Sequence, residues 1–229
     1  MPTLVLLRHG ESQWNSENRF TGWTDVDLTD RGMLEARDAG KRLTLAGYSF
    51  EKCFTSVLIR AIKTLHAALE EMNLLWLPEE KSWRLNERHY GALQGLNKLE
   101  TARQYGTEQV SEWRRSWRVR PPLVQIDDLR HPGHDPRYAQ IPMSLLPAAE
   151  SLKDTVDRVL PYWLESIAPA LRREERVLVV AHGNSLRGLA KVLTQMSGRD
   201  IEQFEIPTAQ PFVYELDASL RTERTLVIS

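Results

Sequence analysis

Two apolar runs in this chain stop at the same signal. Leu4 to Leu7 runs into Arg8-His9-Gly10-Glu11, and Val177 to Ala181 runs into His182-Gly183-Asn184. Both are short and aliphatic, the pattern of strands buried on both faces rather than of alternating surface strands. The chain between them alternates. After a strand at Thr3 to Leu7, Thr29 is placed to cap a helix from Asp30 to about Ala46. Ala36, Ala39 or Gly40, and Leu43 share one face of it, and Gly47 is its stop. "KCFTS" reads as the next strand. Ser56 is then expected to cap the helix "VLIRAIKTLHAALEEM", striped by Leu58, Ile62, Leu65 and Leu69, and "LLWLP" is expected to be a third strand. Strand, helix, strand, helix, strand implies an α/β fold in three layers, a mostly parallel central sheet with helices on both faces.

After Pro78 the pattern changes. Residues 83–148 hold the long loops "RPPLV", "HPGHDPRY" and "IPMSLLP", with short helices expected near Asn97–Tyr105 and Glu108–Arg118. A stretch this long within a compact domain is ordinarily functional or disordered. Its tryptophans, arginines and tyrosines argue for order, so it is read as an insertion over the C-terminal edge of the sheet. A single domain over 1–229, with an insertion at about 83–148, is the expected organisation. Regularity returns at Glu150 with an amphipathic stripe from Leu152 to Leu171, in which Pro161 is expected to kink or break the helix. The strand "RVLVVA", a helix from Ser185 to about Met196 and two final strands, "PFVYELD" and "RTLVIS", complete the chain as read.

Charge narrows the partners. Thirty Lys and Arg stand against 31 Asp and Glu, a net charge of −1. Such a chain has no overall field for nucleic acid or an anionic membrane, so any anion must be bound by a local cluster. The one cysteine, Cys53, cannot form an intrachain disulfide and is read as a small buried strand residue, which fits a reducing compartment. The first apolar run is too short for a signal peptide, and no run approaches a membrane span, so a cytoplasmic protein is expected.

Ligands of such sheets bind where strand ends and helix N-termini converge. His9 and His182 both arrive at that edge. Each precedes a glycine, which would let the backbone approach a ligand closely. Gly183, Asn184 and Ser185 open a helix whose free N–H groups favour an anion. Arg8, Arg60, Arg187 and the pair Arg114-Arg115 add positive charge, which suits a phosphoryl group. Three chemistries could use such a cluster. A metal centre would need a third ligand, for which Glu11 and Glu87 are available, but no ligand spacing is visible. A serine hydrolase would need G-x-S-x-G, which is absent. Histidine could itself attack phosphorus, with a carboxylic acid serving the leaving oxygen. A lone histidine at a strand end is ordinarily a polar residue opening a loop, and "WRRSWRVR" can be a solvated helix face or a nucleic-acid patch. Composition favours the solvated face, and the residues alone leave the chemistry open.

The motifs taken together go further. "RHGESQWN", "FTGWTDVDLT", "TSVLIRA", "LNERHYGALQGLNK", "EWRRSW", "HPGHDPRY" (with tyrosine for the first histidine in the family) and "AHGNSLR" resemble the cofactor-dependent phosphoglycerate mutases of the histidine phosphatase superfamily. The resemblance runs from about Leu4 to about Asp217. It implies that His9 is the phosphorylated nucleophile and that Arg8, Arg60 and His182 hold the transferring phosphoryl group. Asn15 and the backbone near Gly183 and Asn184 would complete that pocket. Glu87 would be the general acid and base. Thr21, Gly22, Tyr90, Lys98, Arg114 and Arg115 would hold the glycerate carboxylate and second phosphate, giving "WRRSWRVR" a substrate role. Ser12 matches the mutase pattern, where bisphosphoglycerate synthases have glycine.

The implied reaction interconverts 3-phosphoglycerate and 2-phosphoglycerate, primed by 2,3-bisphosphoglycerate and without metal. The implied assembly is a homodimer or homotetramer whose partners are small-molecule phosphoglycerates. A phosphatase of the same superfamily is the alternative, against which Lys98, Arg114 and Arg115 argue. A non-catalytic phospholigand-binding protein would be expected to lack His9 or Glu87. Two departures from the family pattern stand out. Ala209 occupies a position that is usually glycine, which puts a loop beside the site in question. Family members also commonly continue past the position of Ser229 with a polar, lysine-containing tail. Without that cover, phospho-His9 is expected to leak more readily to water.

Overall fold

The computed structural model describes residues 1–173 and 175–229. Strand β1 (Thr3–Arg8) leads into a single helical turn, α1 (Gln13–Ser16), and then into α2 (Asp30–Leu45). Thr29 caps α2 as expected, its hydroxyl accepting from the Gly32 N–H at 3.0 Å. Strand β2 (Lys52–Thr55), α3 (Ile59–Glu71) and β3 (Glu79–Lys81) follow. Helices α4 (Lys98–Tyr105) and α5 (Thr107–Arg115) belong to the long central stretch. Beyond it come α6 (Leu152–Tyr162), α7 (Ala168–Arg172), β4 (Val177–Ala181), α8 (Gly183–Thr194), α9 (Gly198–Gln203), β5 (Pro211–Leu216) and β6 (Thr222–Val227).

The six strands form one sheet in the order β3-β2-β4-β1-β5-β6. The first four run parallel, and β5 and β6 join antiparallel. Side chains alternate across it. Leu4, Leu6, Phe54, Val177 and Val179 face Val159, Leu171, Leu186 and Leu189 of α6, α7 and α8. Val5, Leu7, Cys53, Leu178 and Val180 face Ala39, Leu43, Leu65 and Leu69 of α2 and α3. Burial on both faces is why these strands read as unbroken apolar runs. The three-layer α/β architecture read from the sequence is therefore the one observed. Cys53 is fully buried, as expected, and burial pushes its thiol up to about 12.

The central stretch is tied to the sheet's rim by two small cores. Phe20, from the loop after α1, packs with Leu93, Val110 and Trp113. Trp23 packs with Tyr138 and Leu146. The first of these, through Val110 and Trp113 with Ala102 beside them, packs α4 and α5 against the loop that carries Phe20.

Four local expectations are corrected. "LLWLP" is not a strand: Asn73 takes a φ of 55° after α3, and Leu77 N–H closes a turn on Leu74 O at 3.1 Å. Leu75 and Trp76 stay exposed, and the polar Glu79–Lys81 pairs with β2 instead, as an edge strand permits. Ser56 does not cap α3. Its hydroxyl accepts from Leu58 N–H at 3.2 Å, and the first helical N–H, that of Ile59, donates to Asp25 Oδ1 at 2.7 Å. Pro161 does not break its helix. Helix α6 runs through it to Tyr162, and the irregularity falls just downstream as a π-helical turn over Trp163–Ile167. Finally, α8 starts at Gly183 rather than Ser185, with His182 as its N-cap residue.

Ala209 keeps the conformation that a glycine would adopt there, with φ 51° and 2% exposure. Its N–H donates to Arg8 O at 2.9 Å and its carbonyl accepts from Arg42 Nη2 at 2.8 Å, so the backbone is pinned from both sides. A left-handed L-residue costs about 1–2 kcal/mol, and glycine's extra freedom when unfolded returns roughly 0.5–1 kcal/mol of that. Ala209→Gly is therefore expected to stabilise the fold by up to ~1 kcal/mol. A lower urea midpoint for the variant would contradict the strain.

Candidate active site

Arg8 closes β1 and His9 follows it at the sheet edge. His9 is 3% exposed. Its Nδ1 lies 2.7 Å from the Gly10 carbonyl, which can only accept, so Nδ1 carries the proton and Nε2 keeps its lone pair. Burial, then Arg60 and Arg8, hold its pKa well below the usual imidazole range. His9 is thus a neutral base with one free nitrogen. Gly10 corrects an expectation: the close approach it permits is to protein, not ligand. A Cβ there would sit 2.2 Å from Gly32 O, so the glycine lets the first turn of α2 press against the loop.

His182, at the end of β4, is fully buried with its ring centroid 5.0 Å from that of His9. Its Nε2 is 2.7 Å from Ser56 Oγ, and its Nδ1 has no partner. Burial, with Arg60 and His9 next, also holds it neutral. Arg60 is 1% exposed, anchored by Nη1 on Thr24 O at 2.9 Å and by Nη2 on Gly22 O at 2.7 Å. Burial brings its pKa down to about 10. Arg8 donates from Nη1 to Ile206 O at 3.0 Å. The Nε groups of Arg8, Arg60, Arg88 and Arg187 are buried without partners. Buried guanidinium donors ordinarily find an acceptor, and an anionic oxygen is the one such groups favour.

Arg8, His9, Arg60 and Arg187 line a cavity of ≈ 280 Å³ together with Asn15, Thr21, Gly22, Glu87, Tyr90, Lys98, Arg114, Arg115, Gly183 and Asn184. The carboxylate of Glu87, 8% exposed, is held by α8: its Oε1 accepts from Asn184 Nδ2 at 2.8 Å and from Asn184 N–H at 3.2 Å. Burial pushes the Tyr90 hydroxyl up, but Arg88, donating to it at 3.1 Å, outweighs this and its pKa is lowered. Burial lowers the pKa of Lys98; Tyr90 opposes that shift, and Arg114 and Arg8 add to it.

Two expected site residues stand apart from the cavity wall. His182 is not among the side chains that line the cavity, and its ring packs edge-on against that of His9. Ser12 is fully buried, its hydroxyl capping α1 by accepting from Asn15 N–H at 3.2 Å while Asn15 Oδ1 accepts from Ser12 N–H at 3.1 Å. Ser12 orients Asn15 rather than facing the cavity. Five other lining residues were absent from the implied set: Arg19, Arg187, Phe204, Glu205 and Ile206. Arg187, read from the sequence as positive charge beside the histidines, lies one helical turn after Asn184, whose Oδ1 it meets at 2.9 Å. Residues 204–206 had no such signal, since only the sheet brings them beside Arg8.

The chain matches the family model described as "Histidine phosphatase superfamily (branch 1)" over residues 4–131 and 123–227. Among solved structures it is similar to a mycobacterial glucosyl-3-phosphoglycerate phosphatase, at 21% identity and TM-score 0.74, covering 100% of this chain and 98% of that one. It is similar to the alpha-ribazole phosphatase of Shigella flexneri at 22% and 0.71, covering 99% and 96%. It is similar to YhfR of Bacillus stearothermophilus at 24% and 0.66, covering 94% and 91%. At such identities these likenesses show the fold. No described helix is long and apolar enough to cross a membrane.

Proposed function

This chain belongs to the histidine phosphatase superfamily, branch 1, and on that premise we propose that it acts as a phosphoglycerate mutase primed by 2,3-bisphosphoglycerate. Membership makes it a phosphatase or phosphotransferase. What favours the mutase is a second set of cations: Lys98, Arg114 and Arg115 line the same cavity as Arg8, His9 and Arg60. Transfer to water needs positive charge only around the moving phosphoryl group. A mutase must also retain a ligand carrying two phosphates and a carboxylate while it reorients.

In this reading His9 attacks phosphorus through Nε2 while Nδ1–H stays on the Gly10 carbonyl. Arg8 and Arg60 offset the charge on the transferring oxygens, and His182 packs against the His9 ring. Glu87 gives a proton to the departing oxygen and takes one from the attacking hydroxyl. When bound, 2,3-bisphosphoglycerate supplies the phosphoryl group that primes His9. The unpaired guanidinium donors of Arg8, Arg60 and Arg187 fit its oxygens. These arginines already provide the positive charge for which a metal would otherwise be needed.

The phosphatases that share the fold favour a second reading, in which water takes the phosphoryl group from His9. One assay separates the two. With chelator present, 2-phosphoglycerate formation from 3-phosphoglycerate is followed with and without 2,3-bisphosphoglycerate, alongside phosphate release. The mutase reading expects turnover that depends on 2,3-bisphosphoglycerate, survives chelation and outpaces phosphate release. Phosphate release without 2-phosphoglycerate would establish the phosphatase. Loss on chelation, restored by Mn²⁺ or Zn²⁺, would point to a metal-dependent enzyme.

A further inference from the structure

Two carboxylates line the cavity, Glu87 and Glu205, among seven arginine and lysine side chains. Glu87 is tied to Asn184 and has a place in the proposed chemistry. Glu205 has none. Its carboxylate forms an ion pair with Arg115 Nη1. The segment that carries it is fixed on both sides: Ile206 O holds Arg8 Nη1 at 3.0 Å, and Glu202 Oε1 accepts from the Trp117 N–H just past α5. Glu205 is therefore presented to the cavity by a tethered wall. The pair does little for the fold, since its side chains are 41% and 60% exposed and ion pairs of that kind contribute little. It does matter for binding, because a carboxylate already sits on Nη1 of the Arg115 guanidinium, where a ligand oxygen would otherwise bind.

We propose that Glu205 is an internal anion that holds Arg115 until the carboxylate or phosphate of the ligand displaces it, and so sets the affinity of the site. This rests on Arg115 binding ligand, as in the reading above. Displacement breaks one exposed ion pair and forms one to the ligand, while the negative charge of Glu205 remains beside an anionic guest. A site of this kind binds phosphorylated acids more weakly than its arginines allow, which also speeds their release.

The test is equilibrium binding of 3-phosphoglycerate and, in parallel, of inorganic phosphate to the full chain, with Glu205→Gln, Glu205→Ser, Arg115→Met and the double variant Glu205→Gln/Arg115→Met. Both Glu205 variants are expected to bind 3-phosphoglycerate roughly three- to tenfold more tightly. In the Arg115→Met background the Glu205→Gln gain should largely vanish, because the competition runs through that arginine. Unchanged affinity for both anions in both Glu205 variants would overturn the proposal. So would an equal gain with and without Arg115, which would mark a general charge effect. The readout is binding, so an enzyme that binds 3-phosphoglycerate without converting it would refute the mutase reading and leave this result standing.

Discussion

The His9→Ala variant is expected to fold and to have no measurable turnover. The fold should survive because the imidazole makes one side-chain hydrogen bond, to the carbonyl of its own neighbour Gly10, and its loss costs about 1 kcal/mol of a typical 5–15 kcal/mol. Activity should not survive, because nothing beside His9 can take its place. The other histidine of the site, His182, has its Nε2 on Ser56 Oγ, and Glu87 is held on Asn184. The same geometry predicts the nature of the intermediate. Wild-type protein incubated with 2,3-bisphosphoglycerate should carry a phosphoryl group that is labile in acid and stable in base, as a phosphoramidate is, and His9→Ala should carry none. Retention of even a tenth of wild-type turnover by the purified, folded variant would sink covalent catalysis by His9.

Glu87→Gln is expected to lower turnover by roughly 10²–10⁴, the usual worth of a positioned acid and base, with a much smaller change in substrate affinity. Glutamine keeps the oxygen that accepts from Asn184 Nδ2 at 2.8 Å, so the first turn of α8 should not shift. What it removes is the ability to give and take a proton. Losing affinity while turnover held steady would make Glu87 a binding group and would leave the proton transfer to another residue. Kinetics on both 3-phosphoglycerate and 2-phosphoglycerate distinguish these outcomes, since an acid–base residue serves both directions.

Much of this molecule was legible before folding because the cues were local. Leu4 to Leu7 and Val177 to Ala181 had to be central strands: few other places bury four or five consecutive aliphatic side chains. Thr29 and Gly47 bracketed α2 through capping chemistry that acts within one turn. His9 and His182 were placed together by topology, since parallel strands deliver their C-terminal ends to one edge. Errors came where a distant partner replaced a local one. Asp25 displaced Ser56 as the cap of α3, leaving Ser56 to face His182. Polar Glu79–Lys81 outcompeted apolar "LLWLP" for the edge of the sheet, because an edge strand requires main-chain pairing on one side and no apolar faces.

The sequence by itself determined the α/β layering, the strands that end in His9 and His182, and the kinds of side chain gathered at that edge. Those features follow from hydrophobic periodicity and capping, which act over a few residues. Tertiary structure alone decided that Ser12 is buried behind Asn15, that Gly10 serves Gly32, and that His182 packs against the His9 ring rather than lining the cavity. It alone brought Glu205 onto Arg115, ninety positions apart in the chain. Such contacts depend on where β4, α5 and the segment after α9 come to rest against one another, and no local pattern encodes a distance between side chains that meet only after the sheet has formed.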